Sequence, residues 1–326
     1  MSSGRMYKKF IYNNPYKGLP ALSNFQLTKD NLRTIKENEY LAEAVFIRAT
    51  PNYATANSLM KLNTSPKATQ LAKIIESKNK YFPVGQYIVG DFGWQTHTIL
   101  EPCNDDQVYL VPELNSYSVG IIGTPGIAAY FGLLEICKPQ ENDVVVVSSA
   151  AGAVGSCVGQ IAKIKGCKVI GLTSSDVKCS WLKEIGFDHC INYKKEDVKR
   201  KLEEYAPQGV DCYFDNVGGE LSNYVIYQMK VYGRICICGA TALYYDDNKK
   251  VPEIQSPVKI KMVKMEGVHV TRWKNQWDLA VKQNLDWLNE NKLKHKETIV
   301  EDFDNLPQVF VDTITGKYFG NVIIKV

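Results

Sequence analysis

The chain has 326 residues, of which 45% are hydrophobic and 23% charged, and its formal net charge is +4 at pH 7. This composition is typical of a globular protein, and the length suggests two domains. A charge so small and dispersed argues against nucleic-acid binding. No apolar stretch reaches the roughly 18 residues of a membrane span, and the N-terminus lacks the apolar segment of a signal peptide. We therefore expect a cytoplasmic protein that does not bind membranes.

The cysteines and histidines indicate neither a disulfide framework nor a metal site. The nine cysteines are scattered, mostly in apolar runs, and no Cys-x-x-Cys pair occurs. This distribution predicts reduced thiols in a cytoplasmic core. A zinc site needs three or four clustered ligands. We expect no metal, because no histidine stands in such a cluster: the four are His97, His189, His269 and His295.

Residues 1 to about 122 are predicted to form short β-segments separated by turns. Trp94 is expected to pack the beginning of one further strand. An all-β region before an alternating one indicates a separate domain, and β character returns from residue 297 to the end. The predicted strands are Tyr40–Arg48, Leu71–Glu76 and Val84–Val89.

From Val144 onward, strands alternate with amphipathic helices, which predicts a doubly wound parallel sheet with its ligand beyond the C-terminal strand ends. An apolar helix, Ile127–Ile136, is expected to precede it. The predicted strands are Val144–Ser148, Lys168–Leu172, Cys190–Asn192, Val210–Asp215, Arg234–Cys238 and Lys264–Val270. The predicted helices are Val154–Lys165, Val177–Glu184, Asp197–Tyr205, Leu221–Met229 and Gln276–Asn289.

The first of these strands and its helix are joined by a glycine turn. Four valines begin the stretch V-V-V-V-S-S-A-A-G-A-V-G, and Ala150, Gly152 and Gly155 occupy the G-x-G-x-x-G positions. Gly152 would let the backbone approach a pyrophosphate, and Gly155 would let the helix pack closely on the strand. The helix N-terminus would supply N–H groups. An ordinary tight turn is the alternative, but strand, turn and helix together predict dinucleotide binding.

The end of the second strand favours NADPH over NADH. An NAD site places a carboxylate there for the ribose 2′-OH, whereas this strand runs into Thr173, Ser174 and Ser175. Asp176 is interpreted as the cap of the next helix. Lys178 has two interpretations, a ligand of the 2′-phosphate or a solvated helix lysine. No nucleophile signature occurs, so hydride transfer is the chemistry left.

Several motifs identify a resemblance that is densest from residue 123 to 240. They are A-Y-F-G-L-L-E-I-C (Ala129–Cys137), A-A-G-A-V-G-S (Ala150–Ser156), V-G-Q-I-A-K (Val158–Lys163), D-C-Y-F-D-N-V-G-G-E (Asp211–Glu220) and G-R-I-C-I-C-G-A (Gly233–Ala240). With them the sequence resembles the zinc-free medium-chain dehydrogenase/reductases, and among these the prostaglandin reductases.

The resemblance implies a fold and an activity. The α/β fold would be a GroES-like β substrate domain, 1–122 completed by 296–326, and a doubly wound Rossmann NADPH-binding domain, 123–295. The activity would be NADPH-dependent reduction of the C=C bond of α,β-unsaturated ketones and aldehydes, including 15-oxo-prostaglandins and 2-alkenals. The substrates would be lipid-derived, and the protein a monomer or homodimer.

The resemblance also implies site residues. Gly152, Ala153, Val154 and Gly155 would hold the pyrophosphate. Lys178 and Tyr193 would hold the 2′-phosphate. The ribose and nicotinamide would be lined by Asn216, Cys238, Gly239, Ala240, Thr241, Ala242, Leu243, Tyr244, Val268, His269 and Val270.

Tyr244 is the catalytic candidate, because it occupies a family tyrosine position near the nicotinamide. It would donate a hydrogen bond to the enolate oxygen; alternatively, it only packs beside the ring. The substrate side departs from the family. The family motif D-P-Y-M-R is replaced by T-P-N-Y-A at Thr50–Ala54. The family's loop after Tyr244 is shortened to Tyr245–Pro257. Ile260 and Thr271 stand in place of two family tyrosines. Tyr318 stands in place of a family Asn, and Asn321 in place of a family Lys.

Three functions are therefore compatible with the sequence. The first is an NADPH-dependent enone reductase, and the second is a zinc-independent quinone reductase. The third is an NADPH-binding protein with little catalysis, for which the rewritten Thr50–Ala54 motif is the main support.

Overall fold

The computed structural model describes residues 4–16, 18–49, 61–101, 108–244 and 253–326. Its strands are β1 (Met6–Tyr12), β2 (Phe25–Asn31), β3 (Tyr40–Arg48), β4 (Thr69–Ser77), β5 (Tyr87–Asp91), β6 (His97–Leu100), β7 (Tyr109–Val111), β8 (Val144–Ser148), β9 (Lys168–Thr173), β10 (His189–Asn192), β11 (Val210–Asp215), β12 (Met229–Ile237), β13 (Lys264–Gly267), β14 (Glu297–Glu301) and β15 (Asn321–Lys325). Its α-helices are α1 (Thr124–Phe131), α2 (Ala153–Ile164), α3 (Asp176–Glu184), α4 (Val198–Tyr205), α5 (Gly219–Tyr227), α6 (Gln255–Lys261), α7 (Trp277–Asn289) and α8 (Leu306–Ile314). No helix in these ranges is long and apolar enough to cross a membrane.

The chain divides into two compact units. The first comprises Met1–Val119, Glu297–Tyr318 and Val322–Val326, and the second comprises Gly120–Lys296 and Phe319–Asn321. Within the described part of the first unit, a seven-stranded sheet runs in the order β14-β15-β3-β4-β5-β7, with β6 paired to β3. Strands β1 and β2 form a separate antiparallel pair.

The core of the first unit is built from the inward faces of these strands. Leu71, Val89 and Ile323 are at most 1% exposed and form one cluster with Val119. The prediction for Trp94 is confirmed: it is buried, with ring centroids 4.8 Å from Phe25 and 5.2 Å from Phe310. Aromatic side chains of this size supply much of the apolar area that holds a small β-unit together.

One predicted strand in this unit begins later than expected. The prediction was Val84–Val89, whereas β5 starts at Tyr87. Gly85 has φ +94°, and the N–H of Gln86 donates to the carbonyl of Pro83, so the chain turns at this point before it can pair. A left-handed φ is the conformation that glycine adopts without strain.

The second unit contains the predicted doubly wound sheet, which is confirmed. Its six described strands are parallel and run in the order β10-β9-β8-β11-β12-β13. Numbered along the chain, this is the order 3-2-1-4-5-6 of dinucleotide-binding sheets. The order reverses between β8 and β11, so a ligand crevice is expected at the C-terminal ends of these two strands.

Burial explains why the valine run forms the central strand. Val145, Val146 and Val147 of β8 are fully buried, as expected for a parallel strand covered on both faces. Helix α1 starts three residues before the predicted Ile127, because Pro125 fits the first helical turn after Gly123. It continues as a π-helical turn over Gly132–Cys137.

The expectation that the thiols are uniformly reduced is wrong for one pair. Cys179 of α3 and Cys190 of β10 form a disulfide, with Cα atoms 5.4 Å apart. They lie 11 residues apart in sequence and meet because α3 packs beside the following strand. The other described cysteines are free thiols: Cys137, Cys157, Cys167, Cys212, Cys236 and Cys238.

Candidate functional site

The glycine turn after β8 forms a backbone cradle. Ser149 directly follows the strand and has φ +48°, an uncommon value for a residue with a side chain, and its carbonyl accepts the N–H of Gly152 at 2.9 Å. A Cβ on Gly155 would overlap that carbonyl. A Cβ on Gly152 would stand 3.2 Å from the same oxygen and 3.3 Å from Ser149 Oγ. Gly320 also reaches this turn, since its N–H donates to Ala151 O at 2.7 Å.

The start of α2 suits a phosphate group. Gly152 is the N-cap, and the first N–H in the helix with an intrahelical acceptor is that of Ser156, 3.0 Å from Gly152 O. The N–H groups of Ala153, Val154 and Gly155 precede it and have no acceptor within the helix. Together with the positive end of the helix dipole, they fit a pyrophosphate. These are the residues to which the sequence assigned that role.

Lys178 lies on α3 at the C-terminal end of β9, and its surroundings exclude the solvated interpretation. The residue is only 8% exposed, and its Nζ lies 3.4 Å from Ser174 Oγ. Burial, followed by the nearby charge of Lys194, lowers its pKa. An anion would relieve both effects, because it would compensate the buried charge and the repulsion between the two lysines.

The interpretation of Asp176 as the helix cap is wrong by one residue. Ser175 is the N-cap of α3, and its side chain accepts the N–H of Lys178. The Asp176 carboxylate instead accepts hydrogen bonds from Asn192 Nδ2 at 2.6 Å and Lys195 Nζ at 2.5 Å. The Lys195 contact, followed by that of Asn192, lowers the pKa of Asp176. The carboxylate nearest to an NAD-type position is thus already engaged.

Tyr193 directly follows β10, beside the end of β9. Its N–H donates to Thr173 O at 3.0 Å, and 39% of the residue is exposed. Lys178 and Tyr193 therefore follow two neighbouring strands at the same edge of the sheet, and the Cys179–Cys190 disulfide joins the elements that carry them. This edge presents a hydroxyl, a buried ammonium group and a phenol.

The residues predicted for the nicotinamide end come together after β11 and β12. Asp215 O accepts the N–H groups of Cys238 at 2.7 Å and Gly239 at 3.1 Å. Val217 O accepts the N–H of Ala242 at 2.9 Å, and Leu243 N–H donates to Ala240 O at 2.8 Å. Residues 238–244 are thereby folded over the end of β11, beside Asn216.

Asn216 is also hydrogen-bonded to the end of β8. Its N–H donates to Ser148 Oγ at 2.9 Å, and its Nδ2 donates to Ser148 O at 2.7 Å. Its own carbonyl accepts the hydroxyl of Thr241 at 3.3 Å. Asn216 thus bridges the first strand of the sheet and the segment after β12, at the point where the strand order reverses.

The Tyr244 hydroxyl is part of the same structure. Its oxygen accepts the N–H of Ala240 at 3.0 Å. Burial raises the pKa of this phenol, so it keeps its proton at neutral pH. A hydroxyl that accepts one hydrogen bond can still donate its own proton, which is what an enolate oxygen would require.

Residues 268–270 border this group from the last strand. Val268 N–H donates to Ile237 O at 2.9 Å, which places it beside the end of β12. His269 is exposed, and its Nδ1 lies 2.6 Å from Thr271 Oγ1. Val270 O accepts the indole N–H of Trp277 at 2.9 Å. In this geometry the His269 ring contacts the hydroxyl of Thr271, which does not indicate a catalytic role.

The departures from the family pattern have different outcomes. Thr50–Ala54 and the first part of the shortened loop, 245–252, lie outside the described residues. Ile260 is 72% exposed on α6. The hydroxyl of Tyr318 lies 3.3 Å from Asp312 Oδ2, and Asn321 is buried with its N–H donating to Lys296 O at 2.8 Å. In the ranges that the structure describes, no three His, Cys, Asp or Glu residues could share a metal ion.

Two buried polar residues at this edge were not predicted from the sequence. Ser148 closes β8 and is fully buried, while Asp215 closes β11 and is 4% exposed. Their hydroxyl and carboxylate lie 3.0 Å apart. The available signal was a polar side chain at the last position of an otherwise apolar strand, a location that precedes the ligand site in such sheets.

Comparison with known proteins extends these observations to the whole chain. A family model described as "Zinc-binding dehydrogenase" matches residues 153–286, and one described as "N-terminal domain of oxidoreductase" matches residues 8–108. Prostaglandin reductase 1 of Bos taurus is 40% identical, with 98% of both chains covered. NADPH-dependent curcumin reductase of Escherichia coli (strain K12) is 31% identical, covering 98% of this chain and 96% of that one.

The solved structures agree with the sequence relatives. CurA from Vibrio vulnificus has a TM-score of 0.92 at 30% identity, with 98% of both chains covered. Its complex with NADPH has a TM-score of 0.91 at 29% identity, covering 98% of this chain and 99% of that one. The similarity therefore extends over nearly the full length of each protein.

Proposed function

Because the chain belongs to the prostaglandin reductase branch of the medium-chain dehydrogenase/reductase family, we propose that it reduces the C=C bond of α,β-unsaturated ketones and aldehydes with NADPH. Its fold is the predicted GroES-like β domain plus a Rossmann domain. The observation that carries the proposal is the 40% identity to prostaglandin reductase 1 over 98% of both chains. Curcumin, named for a second relative, contains α,β-unsaturated ketones.

The cofactor is NADPH, which would supply the hydride for the β-carbon of the enone, and water would supply the proton for the α-carbon. Gly152 to Gly155 bind its pyrophosphate through the turn and the helix N-terminus. The buried Lys178, together with Tyr193, binds the 2′-phosphate. The geometry of the strand end supports this choice, since Asp176 is engaged with Asn192 and Lys195 and offers no carboxylate to a ribose 2′-OH.

Tyr244 stabilises the negative charge that develops on the carbonyl oxygen. Its phenol stays protonated at neutral pH and donates a hydrogen bond to the enolate, which commonly contributes a few kcal/mol in such sites. The hydrogen bond from Ala240 fixes the hydroxyl oxygen in place and supports this role. Asn216 and the segments 238–244 and 268–270 line the ribose and nicotinamide.

We also propose the domain boundaries, the substrate class, the cellular compartment and the oligomeric state. Residues 1–122 with 296–326 form the substrate domain, and 123–295 form the NADPH-binding domain. The substrates are lipid-derived enals and enones, including 15-oxo-prostaglandins. The enzyme works without zinc in the cytoplasm, as a monomer or homodimer.

The test is an incubation of the purified protein with NADPH and a panel of 2-alkenals, enones and quinones, followed at the nicotinamide absorbance band. Each enone is paired with its saturated ketone, which has the same carbonyl but no C=C bond. We expect NADPH to be oxidised in the presence of the enone, with formation of a saturated product, and not in the presence of the saturated ketone. Turnover with quinones only would identify a quinone reductase. NADPH binding without turnover of any compound would identify a binding protein.

A further inference from the structure

Asp215 is a buried carboxylate with an unusual set of partners. It lies at the C-terminal end of β11 and is 4% exposed. Its Oδ1 accepts hydrogen bonds from two hydroxyls and two backbone N–H groups, and its Oδ2 accepts a third hydroxyl. The donors are Ser148 Oγ at 3.0 Å, Tyr213 OH at 2.8 Å, Val217 N at 3.0 Å, Gly218 N at 2.9 Å and Ser222 Oγ at 2.6 Å.

All five of these donors are neutral. No ion pair within the described ranges includes Asp215. Its charge is instead balanced by hydrogen bonds and by the N-terminus of α5, where left-handed φ angles at Gly218 and Gly219 turn the backbone. Burial, followed by the charge of Asp215, raises the pKa of Tyr213 well above its ordinary value, so this phenol remains a donor.

The arrangement requires acceptors at this position. A carboxylate has two acceptor oxygens and accepts all five hydrogen bonds. An asparagine could keep the four bonds to Oδ1 and donate its NH₂ group to the Ser222 hydroxyl, whereas an alanine at 215 would leave all five donors without an acceptor. Because the group is buried, water would not replace a lost hydrogen bond easily.

The Asp215 network continues into the segments that line the proposed nicotinamide end. The main-chain carbonyl of Asp215 accepts the N–H groups of Cys238 and Gly239. Ser148 Oγ donates to Asp215 and accepts the N–H of Asn216. Through its side chain and its main-chain carbonyl, Asp215 thus links the ends of β8, β11 and β12.

The chain of contacts ends at the catalytic candidate. Val217, whose N–H donates to the Asp215 carboxylate, accepts the N–H of Ala242 through its carbonyl. Ala240, in the same short segment, donates its N–H to the Tyr244 hydroxyl. A displacement at Asp215 would therefore be transmitted to Tyr244 through two hydrogen-bonded segments.

From this connectivity we propose that Asp215 and Ser148 are positioning residues for the reaction. They hold Asn216 and the segment 238–244 in the geometry that the nicotinamide and the enolate oxygen require. This inference rests on the proposed function. Its physical basis is that a misplacement of about 1 Å in an active site can lower the rate about 100-fold.

Ser148 and Ser222 provide a matched pair that separates positioning from simple stabilisation. Both hydroxyls donate to the Asp215 carboxylate, and both residues are at most 6% exposed. Ser148 Oγ also accepts the N–H of Asn216, whereas the Ser222 hydroxyl interacts with Asp215 and Tyr213, both within the network. Ser148→Ala removes one hydrogen bond more than Ser222→Ala, and that bond leads to the site. Both variants should therefore lose stability but differ in their effect on the site.

The first measurement is binding. NADPH is compared by calorimetry with 2′-phospho-ADP, which keeps the adenosine and all its phosphates but lacks both the distal ribose and the nicotinamide. Ser148→Ala should weaken NADPH about 2- to 10-fold, the equivalent of one lost hydrogen bond, and leave the affinity for the fragment unchanged. Ser222→Ala should change neither. Equal losses for NADPH and the fragment, or no loss in Ser148→Ala, would overturn the proposal.

The second measurement is turnover per functional site, with sites counted by titration with the same fragment. Misfolded protein is then left out of the rate. Asp215→Ala and Ser148→Ala should lower kcat about 10- to 100-fold per site, while Ser222→Ala stays within 2-fold of wild type. If Ser148→Ala and Ser222→Ala lose equal activity per site, the network only stabilises the fold. Should Asp215→Ala fail to fold, the serine pair still decides.

The two proposals fail in distinguishable ways. If the wild type turns over no enone, the proposed function fails, but the binding comparison still tests whether Ser148 organises the nicotinamide end. If the wild type is active and Ser148→Ala binds and reacts normally, the proposed function stands and the positioning role is wrong.

Discussion

Strand β11 carries an aspartate near each end, and the two are held in opposite ways. Asp211 accepts the N–H of Val144 at 2.9 Å and pairs with Lys230 Nζ at 2.8 Å. Next to it, Asp143 pairs with Arg234. Asp215, four residues along the same strand, is held by neutral donors. Each acid is compensated, at one end by cations and at the other by hydrogen bonds.

The difference follows from what each end of the sheet must do. Ion pairs with partly exposed lysines add little stability and tolerate variation in geometry, which suits an edge that only closes the fold. Hydrogen bonds from buried hydroxyls and backbone groups are directional, and they fix the orientation of what they hold. The C-terminal end, where the ligand site lies, has the second kind.

The largest expected effect tests whether the C-terminal end carries the chemistry. Tyr244→Phe removes the proposed donor to the enolate, so kcat and kcat/KM should fall together, roughly 10²- to 10³-fold, in steady-state assays with an enone. Tyr224→Phe is the control, because that hydroxyl donates to the exposed Glu220. If Tyr244→Phe keeps kcat within a few-fold, the ring only packs beside the nicotinamide.

A smaller effect is expected at the neighbouring strand end, where charge and not orientation is required. Lys178→Ala should weaken NADPH about 10- to 100-fold, the value of a charged hydrogen bond, and leave NADH nearly unchanged in binding titrations. Lys183→Ala, at an exposed position of the same helix, is the matched control. An equal loss for both cofactors would show that Lys178 does not bind the 2′-phosphate.

Asp211→Asn should affect stability only. The substitution breaks the pair with Lys230 but leaves an oxygen that can accept the N–H of Val144. Because that lysine is partly exposed, we expect a loss of about 0.2–1 kcal/mol in the free energy of unfolding, measured by urea denaturation. Activity per folded site should match wild type. A fall in kcat would remove the distinction between the two ends of β11.

The smallest expected effect is that of metal removal. The described side chains at neither end of the sheet offer three grouped ligands, so a chelator should leave enone reduction and thermal stability unchanged. Elemental analysis of the purified protein accompanies the assay. Stoichiometric zinc, or activity lost to the chelator and restored by zinc, would contradict this prediction.

Local pattern was sufficient for several elements of the second unit, although it missed helix α6 and the first five residues of β12. The strands Val144–Ser148 and Val210–Asp215 were predicted with their observed bounds, because buried parallel strands are short apolar runs between polar residues. The turn at Gly152 and Gly155 could also be recognised from the sequence, because the small residues that it requires lie within a few positions of one another. The fold class follows from the order of these elements.

The tertiary structure alone decided which distant residues meet. The burial of Lys178, the Cys179–Cys190 disulfide and the bond from Gly320 to the glycine turn depend on packing between separated segments. The same is true of Asp215, whose partners come from β8, β11 and α5. Periodicity reports the face on which a side chain lies, but hydrogen bonds and charge compensation depend on neighbours that only the folded chain supplies.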